Sequence, residues 1–330
     1  MRYQYNGFIP QSIAPPNVVG LEIFRDGKKV GNVDISRMAP DDPGRRLYSF
    51  GLVSDMHLDG VGSNGSYLSQ AMDFFQAQRC AFCCHTGDMT NIGFWSASST
   101  ELYTVQMADY RAVIEAHPDL PMYGICGNHE SYNKPITQNL AELREYTGRE
   151  LFYTMERGND VFIFLGQPGG TAYVEAGTWR EELDWLRERL EENQAKRCFV
   201  FCHSPLTDDS GNPGNVHNTT WGDLESTFVE IMQQHPNTVL FHGHSHLDFN
   251  TQLEYSYANF STRRGIKSVH VPSSAGCRIV VNGESEKVNR PELRSGYIVE
   301  VYENGIILRG YYFEGFKIVP IAQYWVGTAL

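Results

Sequence analysis

No run of eighteen apolar residues occurs anywhere in this 330-residue chain, whereas a helix needs about 20 to cross a bilayer. A membrane-spanning helix is therefore not expected. The start, Met1-Arg2-Tyr3-Gln4-Tyr5-Asn6-Gly7, has neither the apolar stretch nor the small-residue cleavage site of a secretory signal, so a cytoplasmic location is expected. Basic residues are scarce: 27 Lys plus Arg stand against 39 Asp plus Glu, a formal net charge of −12. That balance repels extended nucleic acid and anionic bilayers, and neither is expected as a partner. Cysteine is sparse and odd in number. The seven residues sit mostly in apolar runs such as Cys198-Phe199-Val200-Phe201-Cys202, and no second pair accompanies Cys80-x-x-Cys83 at zinc spacing. They read as reduced core residues. Repeats and low-complexity tracts are also absent, and 41% hydrophobic with 20% charged residues is the balance of a folded globular chain, not a disordered one.

What is present divides near residue 46. Before it, Val18–Phe24 and Lys29–Ile35 flank Asp26-Gly27, a hairpin signal, and Ala39-Pro40-Asp41-Asp42-Pro43-Gly44 interrupts regular structure because proline removes backbone donors. Residues 1–46 are expected to form a small β appendage with its linker, a candidate attachment point for a homo-oligomer or larger assembly. Residues 47–330 are expected to form the main domain. There, short apolar runs at 47–54, 80–86, 121–126, 161–166, 198–202 and 238–242 alternate with amphipathic segments, the pattern of an α/β layered fold. Thr178-x-x-Glu181 is a capping box whose helix carries Trp179, Leu183, Leu186 and Leu190 on one face. Ser98-x-x-Glu101 opens another that should stop before His117-Pro118, and a third carries Leu224, Phe228 and Ile231 and should end near His235-Pro236. Asn304-Gly305, between Tyr297–Tyr302 and Ile306–Phe313, predicts a C-terminal hairpin.

Five of the apolar runs end in polar clusters, at the end of a strand where open α/β sheets place their ligands. These are Asp55-Met56-His57, Gly87-Asp88, Gly127-Asn128-His129-Glu130, His203, and Gly243-His244-Ser245-His246. All the donors are hard oxygens or imidazoles. Glycine permits close approach, and alternate spacing in an extended segment would put Asp55 with His57, and His244 with His246, on one side.

In order and spacing these five blocks resemble the calcineurin-like metallophosphoesterase superfamily, with its D-x-H, G-D, G-N-H-[DE], lone His and G-H-x-H, over roughly residues 47–275. The resemblance implies a four-layer αββα sandwich of two mixed β-sheets flanked by helices. It implies one metal ion held by Asp55, His57, Asp88 and His246, and a second held by Asp88, Asn128, His203 and His244, with Asp88 bridging. It further implies phosphoester hydrolysis by a metal-bridging hydroxide, His129 serving as general acid or transition-state stabiliser and Asn128 also touching a phosphate oxygen. Two cations about 3.5–4 Å apart would both activate water and offset phosphoryl charge. With no thiolate in the set, Mn, Fe, Zn, Co and Ni all suit.

The string Asp88-Met89-Thr90-Asn91 lacks the aspartate that protein serine/threonine phosphatases carry three residues after the bridging aspartate, and the metal-binding tyrosine of purple acid phosphatases. It looks most like the class III cyclic-nucleotide and glycerophosphodiester phosphodiesterases, with Glu130 where that branch often has Asp. The expected substrate is a small phosphodiester, with a phosphomonoester, or a binding role within an assembly, as alternatives. The polar segment 208–217 and nearby His217 and Trp221 are candidate substrate contacts, and Ser63-Asn64-Gly65 a second rim. His85, His242 and His270 read as core histidines, and Arg45-Arg46 and Arg263-Arg264 as solvated charges.

Overall fold

Runs rich in β-branched and aromatic residues form two sheets, and amphipathic segments between them form the helices that cover those sheets. The computed structural model describes residues 2–5, 20–25, 28–33, 43–60, 62–92, 100–130, 136–166, 178–206, 224–249, 259–281 and 284–328. In chain order the strands are β1 (Arg2–Tyr5), β2 (Gly20–Arg25), β3 (Lys28–Val33), β4 (Arg46–Val53), β5 (Cys83–His85), β6 (Met122–Gly124), β7 (Tyr153–Arg157), β8 (Asp160–Phe164) and β9 (Arg197–Phe201). There follow β10 (Thr238–His242), β11 (Phe260–Ser261), β12 (Lys267–His270), β13 (Arg278–Val281), β14 (Glu284–Lys287), β15 (Ser295–Tyr302), β16 (Gly305–Tyr312) and β17 (Lys317–Gly327). The helices are α1 (Ser63–Ala77), α2 (Thr100–Glu115), α3 (Ile136–Thr147), α4 (Thr178–Glu192) and α5 (Glu225–Gln233).

One six-stranded sheet has the order β17-β16-β15-β4-β5-β6, the other β11-β12-β10-β9-β8-β7. Both are mixed. β4, β5 and β6 run parallel while β15 to β17 join antiparallel; β8, β9, β10 and β12 run parallel between antiparallel edges β7 and β11. Between the sheets lies an aromatic layer in which Phe50 and Phe82 meet Phe162, Phe199 and Phe241. Phe50 stacks on Phe82 at 5.2 Å and meets Phe162 edge-on at 5.4 Å, the geometries that ring quadrupoles favour. On the outer faces, Phe74, Phe75, Met107 and Tyr110 of α1 and α2 cover the first sheet, and Trp179, Leu183, Leu186, Leu190, Phe228 and Ile231 of α4 and α5 cover the second. The result is the four-layer helix–sheet–sheet–helix sandwich expected above.

The expected hairpins form at β2–β3, with β1 added parallel to β2, and at β15–β16. Helix α1 carries no start signal: its N-cap is Gly62 in the left-handed region, with no side-chain cap and no acid in the first turn. Ser63-Asn64-Gly65 therefore belongs to the first turn of α1, not to a loop. All seven cysteines are buried and free, and burial pushes the Cys80 thiol up to about 12. Among the described residues no helix is long and apolar enough to cross a membrane.

At the amino ends of β8 and β9 a buried ion pair ties the sheets together. Arg197 donates from Nε and Nη2 to Asp160 at 2.8 Å each and from Nη1 to the Tyr302 carbonyl at 2.8 Å, while the Tyr48 hydroxyl donates to Asp160 at 2.6 Å. Burial, and then the Asp160 charge, push the Tyr48 phenol up. Removing one partner would leave the other charge buried alone, at a cost of about 3–5 kcal/mol. Asp160→Ala is expected to lower stability by that amount in urea denaturation, with metal content at 20 °C retained because the pair lies at the far end of the strands from the ligand cluster.

Candidate metal centre

Beyond β4 the chain pairs with the segment after β5: the amides of Asp55, His57 and Leu58 donate to the carbonyls of Gly87, Asp88 and Met89 at 3.1, 3.0 and 2.8 Å. These pairings line up two ligand-bearing turns. Asp55, His57, Asp88, His244 and His246 all have positive φ, at 48°, 44°, 53°, 70° and 58°. Among the described residues only three other non-glycines do, Arg79, Arg264 and Phe316. Each such residue costs about 1–3 kcal/mol and persists only where its surroundings impose it. The extended geometry expected for the two alternating pairs is thus not what aims them; both members of each pair sit in left-handed turns.

The structure brings the seven residues together in two sets that share Asp88. Donor atoms of Asp55, His57, Asp88 and His246 lie within 4.8 Å of one another, as do those of Asp88, His203 and His244. Asn128 joins the second set, its Oδ1 2.9 Å from His203 Nε2. Each carboxylate has one oxygen tied down and one turned inward. Asp55 Oδ2 accepts from Ser54 Oγ at 2.5 Å and from the His244 amide at 3.0 Å, and Asp88 Oδ1 accepts from the His129 amide at 3.0 Å. Asp55 Oδ1 and Asp88 Oδ2 are sealed from solvent without a well-formed hydrogen bond. They face imidazoles, with His246 Nε2 3.1 Å from Asp55 and His203 Nε2 3.3 Å from Asp88. Imidazole nitrogens also face one another, His57 Nε2 to His246 Nε2 at 2.9 Å and His203 Nε2 to His244 Nδ1 at 3.1 Å. His203 Nδ1 donates to the Thr86 carbonyl at 2.7 Å and His246 Nδ1 to that of Gly276 at 3.1 Å. Those bonds leave a lone pair on each Nε2, which fixes the tautomer as a metal ligand requires. Once His203 gives up its Nε2 proton, the converging lone pairs fit two cations that share Asp88.

Supporting residues hold these atoms in place. Thr86 Oγ1 donates to Ser54 Oγ at 2.5 Å, and Ser273 Oγ to the Asp55 carbonyl at 2.8 Å. Glu130 is buried and locks the Gly127–His129 turn to the turn after Asp88, accepting from the Thr90 amide and the Gly127 amide at 2.7 Å each. Burial, with Asp88 nearby, raises its pKa to about 7. Gly127 and Gly243 are required by closeness: a Cβ on Gly127 would lie 2.1 Å from Asp88 Oδ1, and one on Gly243 1.9 Å from Ser54 Oγ.

Electrostatics separate the imidazoles. Burial opposes charging His203, but Asp88 and Asp55 outweigh it and lift its pKa to about 9. Burial, and the repulsion of His129 and His246, hold His57 well below the ordinary value, and burial lowers His129. Burial opposes ionising Asp55 and Asp88, yet the imidazoles, His246 foremost for Asp55 and His203 for Asp88, keep both below the usual carboxylate range. His129 stands beside the cluster, its ring edge-on to His57 at 4.5 Å and its Nε2 3.8 Å from Asp88 Oδ2.

His217 and Trp221 lie outside the described residues, as does segment 208–217. His85, His242 and His270 are buried as expected; His270 bonds Ser245 Oγ at 2.8 Å, and burial lowers His85 to about 3 and His242 to about 4. Arg45 pairs with Glu303 at 3.2 Å on the surface, and Arg264 pairs with Glu225. Ser54, Thr86 and Ser273 were not legible as site residues, because they act through contacts distant in sequence.

Comparisons with known proteins bear on the family and the fold. A family model described as calcineurin-like phosphoesterase matches residues 48–248. No curated protein matches the chain. Among solved structures, a dimetal phosphatase from Danio rerio shares 14% identity at a TM-score of 0.57, covering 86% of this chain and 100% of its own. The E. coli phosphoesterase Yfce shares 11% identity at a TM-score of 0.37, covering 83% and 97%. At these identities the likeness to the Danio rerio protein is one of fold.

Two outcomes follow from the geometry. Gly127→Ala is expected to displace Asp88 and weaken metal binding about 10- to 100-fold, the usual cost of disturbing a ligand's support, read as metal content after dialysis. In the metal-free protein His203 carries a proton below about pH 9, and a cation must expel it. Metal affinity should therefore rise with pH up to about 9 and level off above, and calorimetry in two buffers of different ionisation enthalpy should show proton release at pH 7.5.

Proposed function

The chain belongs to the calcineurin-like phosphoesterase family, and on that premise we propose that it is a dinuclear metal-dependent phosphodiesterase. The observation that carries the reading is the pair of donor sets sharing Asp88. Asp55, His57, Asp88 and His246 would hold one ion, and Asp88, Asn128, His203 and His244 the other. Bound there, two cations of the Mn, Fe, Zn, Co or Ni type would supply Lewis acidity toward the phosphoryl oxygens and a water acidic enough to serve as nucleophile near neutral pH.

The protein's own residues do the rest. A carboxylate at Asp88 offsets repulsion between like charges, and the neutral imidazoles leave net positive charge for a phosphate. Strained turns at five of the ligands keep the donors converged before substrate arrives, so no reorganisation is needed during the reaction. His129 is the residue we place at the leaving oxygen. Its amide is anchored on Asp88, its ring keeps a sliver of solvent access at 14%, and burial holds its pKa down. A neutral imidazole in that position donates a hydrogen bond from its ring N–H to the departing oxygen and stabilises the negative charge that grows there as the bond breaks.

Two features favour a diester. Asn91 is exposed, with its backbone amide held by Gln106 Oε1 at 2.9 Å, so the position that supplies an acid or a metal-binding tyrosine in other branches supplies neither here. A monoester dianion also concentrates two negative charges on the phosphoryl group under attack, where a diester carries one, so it is the harder of the two for an anionic nucleophile to approach.

The test pairs a chromogenic phosphodiester with the matching phosphomonoester, using metal-stripped protein reconstituted with manganese. Diester cleavage that is the faster and is abolished by chelator supports the reading; monoester preference overturns the diester assignment, and inactivity with every metal overturns hydrolysis. His129→Ala should lower turnover about 10²- to 10⁴-fold with metal content kept, and unchanged turnover would remove His129 from its role.

A further inference from the structure

Arg294 follows the helical turn Pro291–Leu293 and leads into β15. Its side chain is drawn beneath the surface, the residue being 6% exposed, an unusual place for a guanidinium without an acid beside it. Nε donates to the Ala275 carbonyl at 2.9 Å, and the guanidinium carbon lies 3.2 Å from the ring centroid of Tyr67 on α1. Among the described residues no carboxylate pairs with Arg294 and neither Nη nitrogen donates a hydrogen bond. A stacked, nearly desolvated fork with both prongs open is built for an anion: its orientation is fixed in advance, and its charge acts at low local dielectric.

Its position says which anion. Tyr67 lies one turn along α1 from Asn64, whose amide group donates to the His57 carbonyl. Ala275 precedes Gly276, whose carbonyl holds His246 Nδ1 at 3.1 Å. Arg294 thus touches both segments that hold His57 and His246, with the two peptide units on either side of Gly276 and one imidazole ring between it and the inward nitrogen of His246. It is a neighbour of the ligand cluster and not a member of it.

We propose that Arg294 binds a second anionic group of the substrate, carried on the ester arm that is not cleaved, so that the preferred phosphodiester bears a further phosphate or carboxylate. The proposal rests on the diesterase reading above. The source of the anion is settled by three nitrophenyl phosphodiesters with a common leaving group, whose second arm ends in a hydroxyl, a carboxylate or a phosphate.

With the manganese-loaded full chain, kcat/KM should favour an anionic arm by about tenfold or more, the usual worth of a charge-assisted hydrogen bond. Arg294→Met should erase that preference, mainly through KM, and Arg294→Lys, which keeps the charge but loses the planar fork, should retain part of it. Independently of turnover, calorimetry with inorganic phosphate on the metal-free chain should show affinity falling about tenfold in Arg294→Met and severalfold in Tyr67→Leu, which removes the stacking surface. Should Arg294→Met fail to fold, Arg294→Lys and Tyr67→Leu carry the same test. Retained preference or unchanged phosphate affinity in the variants overturns the proposal. If wild type cleaves none of the three esters, the diesterase reading fails while the phosphate titration still decides the anion site.

Discussion

Asp55 and Asp88 are each at most 1% exposed, and withdrawing an ionised carboxylate from water costs several kcal/mol unless donors or cations replace the lost solvation. The surrounding structure is organised around that demand. Each carboxylate spends one oxygen on protein donors, and the inward oxygens collect the imidazoles of His57, His203 and His246. Converging so many donors on one small volume requires backbones closer than side chains allow, which explains Gly127 and Gly243. It also requires abrupt turns at the ligands themselves, which explains their positive φ. The strain is distributed over five residues and held by the hydrogen bonds of Ser54, Ser273 and Glu130.

The candidate metal ligands are divided between the two sheets. Asp55, His57, Asp88 and Asn128 follow strands of the first sheet, and His203, His244 and His246 follow strands of the second. Neither sheet holds a complete set. The centre therefore depends on how the sheets sit face to face, which is governed along their length by the phenylalanine layer and at the far end by Arg197 and Asp160. At the near end, Ser54 pairs with Ser273 across the gap, and the Ser274 amide donates to the Ser54 carbonyl at 2.9 Å. Metal binding and docking of the sheets are in this sense one equilibrium, because cations that draw ligands from both sheets stabilise only the docked arrangement.

Legibility of the fold tracked local signals. Helix α4 could be placed from its capping box and the four-three-four spacing of Trp179, Leu183, Leu186 and Leu190, all buried against the second sheet. Strand β10 was found at its expected residues, since a run of four apolar or β-branched residues between polar breaks has few other fates. Helix α1 was not anticipated, because its first turn contains glycine and lacks a cap or an acid; packing of Leu68, Phe74 and Phe75 against the first sheet supplies what local propensity does not. The motif residues were legible through order and spacing. Their backbone was not, and the extended geometry assigned to Asp55 with His57 gave way to left-handed turns imposed from outside the segment.

The sequence by itself determined the alternation of strand and helix, the burial of its cysteines and core histidines, and the identity of the donors that end the strands, because each is a property of a few neighbouring residues. Only the tertiary structure decided which oxygen of each carboxylate faces inward, that Glu130 joins two ligand turns, and that Arg294 lies buried on Tyr67 beside the ligands of the other sheet. Those features arise where segments separated by tens to hundreds of residues meet, and the free energy that selects them is the cost of leaving a buried charge or donor unsatisfied, which no single segment can express.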